Sequence, residues 1–189
     1  MKLFASECDI HLTKDGKVVV YHDDYYLGNT CFKDATYAEL CAKGTLANGE
    51  KLPLLEEFID VVLEGGCTQL WIDVKTLGDE AGGNAEASRT GIAAAQIVHE
   101  KRAKNFVGFI VGRLAIRDKV IPAVRSAWPV SYGAAAYEPG DFIARDIPWA
   151  NMKLADFGLD TKRAKRRRCW SRTSTNFRGA ATASARKPA

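Results

Sequence analysis

Apolar and polar positions along the chain separate strands from helices. Residues 3–12 are an apolar stretch broken on alternate positions by Glu7 and Asp9, the pattern of a strand with one polar face. Lys14-Asp15-Gly16 predicts a turn, and the valine-rich residues 17–22 a second extended piece. Residues 23–29 are polar and aromatic and predict a loop, and 36–43 a short helix stopped by Gly44. Pro53 opens a stronger helix with an apolar face of Leu54, Leu55, Phe58, Ile59, Val61 and Val62, stopped by Gly65-Gly66. Residues 69–75 predict a strand, 79–83 a flexible loop, and 86–104 a long helix with Ile92, Ala95, Gln96 and His99 at helical spacing. A strand at 106–111, a helix at 115–127, a strand at 130–135, a helical turn at 141–145 and a short strand at 154–157 complete the pattern.

Strand and helix alternate after residue 50, which favours parallel strands covered by helices. A closed barrel of eight such units needs about 250 residues. Roughly 160 residues carry periodic structure here, enough for about five units. No apolar run reaches the length of about 18 residues that a membrane-spanning helix requires. The N-terminus does not read as a secretory signal, so a cytoplasmic location is expected. The five cysteines (8, 31, 41, 67 and 169) lack C-x-x-C spacing and read as free thiols in a reducing compartment.

Charge divides the chain. Ten of the 27 Lys and Arg lie in residues 161–189, which hold no acid, leaving 17 against 23 Asp and Glu in residues 1–160. The body therefore carries −6 and the tail +10. An acidic body suits a cation and argues against nucleic-acid binding by the globular part. The tail lacks apolar periodicity and is expected to be disordered. A basic arm that binds RNA or anionic lipid is the less favoured reading of it.

On a strand Glu7 and Asp9 share a face, close enough to hold one hard cation through oxygen. By the same parity Asp73 and Lys75 share a face, while Leu70, Ile72 and Val74 point to the helices. His22 follows the turn and places a proton carrier nearby, with a pKa of about 6.5 that allows either acid or base work. A metal beside a histidine suits phosphate ester hydrolysis. His11 shares parity with the carboxylates and reads as a lining residue, and His99 as a structural one.

Three stretches then point to one family. Residues 6–23, SECDIHLTKDGKVVVYHD, resemble the E-x-D, T-x-D-G, V-V-x-H-D signature of the glycerophosphodiester phosphodiesterase family. Residues 48–57, NGEKLPLLEE, resemble its I-P-T-L-E-E helix start, and residues 70–75, LWIDVK, its L-x-I-E-I-K strand, with Asp73 where Glu is usual. The resemblance implies a partial TIM-type (β/α) barrel of the PLC-like phosphodiesterase kind over residues 1–160. It begins at the family's second strand, so the chain is expected to be short of the barrel at both ends. The segment carrying H-R-G, with the family's other catalytic histidine, has no counterpart.

The resemblance further implies Mg²⁺ or Ca²⁺ held by Glu7, Asp9 and Asp73, with His22 as catalytic acid or base and Lys75 neutralising phosphate charge. The implied reaction converts a small-molecule glycerophosphodiester to sn-glycerol 3-phosphate and an alcohol. The missing histidine makes reduced activity an expectation. The alternative is a non-catalytic domain on the same scaffold that binds a phosphodiester or a metal. Uncovered barrel edges predict self-association.

Overall fold

The computed structural model describes the backbone of residues 5–66, 68–75, 80–112, 114–120, 128–132 and 149–151. Strand β1 (Ala5–Leu12) lies beside the short β2 (Val18–Val20), and a small hairpin of β3 (Tyr25–Tyr26) and β4 (Thr30–Cys31) follows. Helices α1 (Tyr37–Lys43) and α2 (Leu55–Gly65) lead to β5 (Gln69–Val74). Then come α3 (Glu80–Glu100), β6 (Val107–Val111), α4 (Leu114–Val120), β7 (Trp128–Tyr132) and β8 (Trp149–Asn151). One sheet has the order β2-β1-β5-β6-β7-β8. β1, β5, β6, β7 and β8 run parallel, and β2 pairs antiparallel with β1. The expected α/β alternation and parallel sheet are therefore present.

Period-two burial orients the strands. Cys8, Ile10, Leu70, Ile72 and Val74 join Leu55 and Ile59 of α2 and Ala94 and Val98 of α3 in the main core. A second cluster lies on the other face of β1 and β2, where Val19 packs with Tyr26, Phe32, Leu40 and Leu52. Adjacent valines of β2 thus serve different cores, Val18 the helical one and Val19 the small one.

The turn between β1 and β2 is held by its own side chains. The Thr13 hydroxyl donates to the Asp15 carboxylate at 2.6 Å, and Thr13 Oγ1 accepts the Lys17 amide at 2.9 Å. Gly16 takes φ +79°, a conformation glycine adopts without strain. Asp15 also accepts the Tyr37 amide at 2.9 Å, which ties the turn to the start of α1. α1 begins with a capping box: the Thr36 hydroxyl accepts the Glu39 amide at 3.3 Å and the Glu39 carboxylate accepts the Thr36 amide at 2.8 Å. It ends at Gly44 as expected.

Several expectations need correction. α2 starts at Leu55, with Pro53 and Leu54 ahead of it, and Val61 points to solvent, 68% exposed. Residues 80–83 are the first turn of α3 rather than a loop, and that helix ends at Glu100. Ile92, Gln96 and His99 lie on its exposed side, so His99 supports no core. The buried side is built from small residues, including Ala87, Ser88, Thr90, Ala94 and Ala95. Small residues let α4 approach closely: a Cβ on Gly91 would stand 2.7 Å from Val120 Cγ2. The hairpin β3–β4 replaces the expected loop, and β8 arises where no strand was predicted. The expected elements at 141–145 and 154–157, the boundary at residue 160 and the basic tail lie outside the described residues.

Candidate metal centre

β1 and β5 are parallel neighbours in a register that pairs Asp9 with Asp73 and Glu7 with Trp71. Odd residues of both strands leave the sheet on the face away from α2 and α3, and this parity brings the acids together. Glu7, Asp9 and Asp73 each offer a carboxylate oxygen, and these atoms all lie within 4.8 Å of one another. A calcium ion with oxygens at about 2.4 Å spans about that distance, so the group fits one hard divalent cation. The three sequence-predicted ligands are thus brought together.

Lys75 closes the group. Its Nζ lies 2.6 Å from Asp9 Oδ1 and 3.2 Å from Asp73 Oδ2. The Lys75 pKa rises above the usual lysine value: burial opposes this, but the Asp9 hydrogen bond and the Asp73 charge outweigh it. Burial raises the Asp73 carboxyl, although Lys75 draws it back. Glu7 keeps solvent contact, yet desolvation, followed by the charges of Asp9 and Asp73, pushes its pKa up to about 7. Three acids against one ammonium leave the site short of positive charge. On the opposite face, burial pushes the Cys8 thiol up to about 12, so it is an inert core group.

His22 lies just past β2. The Tyr21 amide donates to the Asp9 carbonyl at 3.0 Å, tying the residue before His22 to the residue that carries the central carboxylate. The imidazole is solvent-exposed, and its Nδ1 is 2.7 Å from Asp23 Oδ1. That hydrogen bond raises the His22 pKa above its ordinary value. Neighbouring residues on a regular strand face opposite ways, but β2 has ended at Val20, which frees Asp23 to turn toward the ring. His22 feels the charges of Lys75 and Asp9 but has no direct hydrogen bond to them among the described residues.

His11 continues the odd face of β1 beyond Asp9. It is buried and stacked on Phe32, with ring centroids 4.5 Å apart. Its Nε2 has no hydrogen-bond partner among the described residues, and desolvation lowers its pKa to about 4. The lining role expected for it becomes a packing role at the border between the carboxylates and the small core. Of the aromatic residues near the site, Tyr26 is core, Tyr25 is exposed and Trp71 is partly buried. The Asp9–Lys75 pair was not foreseen, because it depends on the pairing of two strands far apart in sequence.

The sequence profile of the Glycerophosphoryl diester phosphodiesterase family matches residues 5–106. No curated protein matches the chain. Among solved structures it is similar to a glycerophosphodiester phosphodiesterase from Parabacteroides distasonis, with 20% identity, a TM-score of 0.75, and 95% of this chain and 71% of that one covered. It is also similar to an Oleispira antarctica phosphodiesterase in complex with the product sn-glycerol-3-phosphate, with 16% identity, a TM-score of 0.72, and 95% and 72% covered. A glycerophosphodiester phosphodiesterase from Thermotoga maritima follows, with 19% identity, a TM-score of 0.64, and 93% and 70% covered. At such identities the likeness establishes the fold, a parallel α/β sheet of the TIM-barrel type. No helix among the described residues is long and apolar enough to cross a membrane.

Proposed function

The chain belongs to the glycerophosphoryl diester phosphodiesterase family, and on that premise we propose that it hydrolyses a small glycerophosphodiester to sn-glycerol 3-phosphate and an alcohol. Glu7, Asp9 and Asp73 hold one divalent cation, Mg²⁺ or Ca²⁺. The observation that carries the reading is their convergence within 4.8 Å, from two strands whose register sets Asp9 beside Asp73. The similar Oleispira antarctica phosphodiesterase holds sn-glycerol-3-phosphate as its product, which supports the choice of product.

When bound, the cation polarises the phosphoryl group. The protein's own residues do the rest. Lys75 places an ammonium where negative charge grows on the phosphate oxygens. His22, kept protonated to higher pH by Asp23, delivers a proton to the alkoxide as the phosphorus–oxygen bond to the alcohol breaks. Its exposure leaves the ring free to meet a substrate entering from solvent. Hydroxyl from water replaces the alcohol on phosphorus and the proton that water gives up restores His22, so the products are the monoester and the alcohol. The same reading includes self-association through uncovered barrel edges.

The test is release of sn-glycerol 3-phosphate from glycerophosphocholine with Mg²⁺, with Ca²⁺, and with chelator. Cation-dependent release that is lost in His22→Ala is expected, by about 10²–10⁴-fold for loss of an acid–base group. Cation binding without any release would instead make the chain a binding domain. Equal release in chelator would remove the metal from the reaction.

A further inference from the structure

We propose that Lys75 occupies the cation site before the metal arrives, and that metal entry passes its ammonium from Asp9 and Asp73 to the substrate phosphate. The inference rests on the cation-site reading above and adds an order of binding to it.

Lys75 Nζ lies 2.6 Å from Asp9 and 3.2 Å from Asp73, and these acids supply two of the three converging oxygens. The ammonium therefore sits where a shared cation would contact the same carboxylates. A divalent ion held by these two carboxylates and an ammonium 2.6 and 3.2 Å from them repel each other strongly at such short range. Each displaces the other. A divalent ion wins the exchange on charge, since it offsets two of the three negative charges and the ammonium only one.

The residue type suits such an exchange. A lysine is a point charge with rotatable donors on a flexible four-carbon stem, whereas a guanidinium would be locked by its planar fork. The Lys75 side chain is 24% exposed, so it has a way out toward solvent. It stands one residue past the end of β5, where the backbone ladder no longer pins it. Until the exchange, an arriving phosphate meets three acids and an ammonium already paired twice. After it, the phosphate meets a metal and an unpaired ammonium. Metal binding first and phosphate second is the consequence.

The experiment follows acetylation of Lys75 Nζ by an N-hydroxysuccinimide ester, read by peptide mass spectrometry on the full chain. The samples are metal-free, saturated with Ca²⁺ or Mg²⁺ alone, and saturated with cation plus inorganic phosphate. Calorimetry on the same samples reports whether the cation binds. Slow labelling is expected without metal, with a rise of about tenfold on cation binding and a fall again with phosphate. Lys75→Met is expected to bind the cation about tenfold more tightly and to lose most of the metal–phosphate coupling, with its melt confirming the fold. If calorimetry shows bound cation while Nζ stays protected, the exchange is wrong and the cation site stands. If neither wild type nor Lys75→Met binds a cation, the cation-site reading and the exchange fall together.

Discussion

β1 and β5 present two faces built from alternate residues of the same strands, and the faces are opposites. Toward the helices, Cys8, Ile10, Leu70, Ile72 and Val74 are buried in one apolar core. Away from them, Glu7, Asp9, Asp73 and Lys75 gather unlike charges around a common point with solvent contact. The dry face explains how the charged one can exist. A slip of one residue would turn every side chain of a strand to the wrong side. Burial of the apolar set therefore enforces the register that places Asp9 beside Asp73, against their mutual repulsion. The site inherits its geometry from packing to which it contributes nothing.

Substitutions on the two faces should separate accordingly. Asp9→Asn leaves the core untouched but removes the carboxylate that both Lys75 and the cation use. We expect hydrolysis to fall more than about 100-fold, together with loss of the melting-temperature rise on adding Ca²⁺. An Asp9→Asn protein that keeps that rise would place the cation elsewhere. Ile72→Ala, on the other face, should lower unfolding free energy by about 2–5 kcal/mol in a denaturant titration. Cation affinity measured well below the melt should stay near wild type.

Two pH effects sharpen the contrast further. His11 is stacked on Phe32 with a folded pKa of about 4, against about 6.5 when unfolded. The unfolded chain then binds the extra proton, so stability is full above about 6.5 and falls as pH drops toward 4, by about 3 kcal/mol. His11→Phe should flatten that window in denaturant titrations between those pH values. Glu7 shifts the other way. Its carboxyl holds a proton up to about pH 7, and a cation must displace it. Calorimetry should show binding about tenfold weaker at pH 6 than at pH 8, and Glu7→Gln should abolish that dependence.

Much of this site was legible because its signals are local. Alternation told which side Glu7 and Asp9 share, and parity did the same for Asp73 and Lys75. Gly44 marked the end of α1, which spans Tyr37–Lys43 against the expected 36–43. What failed was either non-local or low in contrast. Lys75 meets Asp9 only because β1 pairs with β5, a choice of neighbour that no single segment encodes. In α3, alanine, serine, threonine and glycine form the buried side because α4 comes so near. A search for large apolar residues therefore picks out Ile92, which is 42% exposed. In the hairpin β3–β4, Leu27 takes φ +49°, a conformation its side chain gives no hint of. For residues 48–57, similarity to a helix start was correct, but Glu57 accepts the Leu54 amide, so the helix begins two residues after Pro53.

The Asp15 carboxylate bridges the Thr13 hydroxyl and the Tyr37 amide, and it contacts none of the groups assigned to the reaction. It belongs to the most recognisable motif in the chain, yet its task is mechanical: a rivet between the hairpin that aims His22 and the helix that roofs the small core. Damage to that rivet would appear in a screen as lost turnover with every reacting group intact. Signature positions in this molecule are therefore best sorted by what they hold in place before any is credited with chemistry.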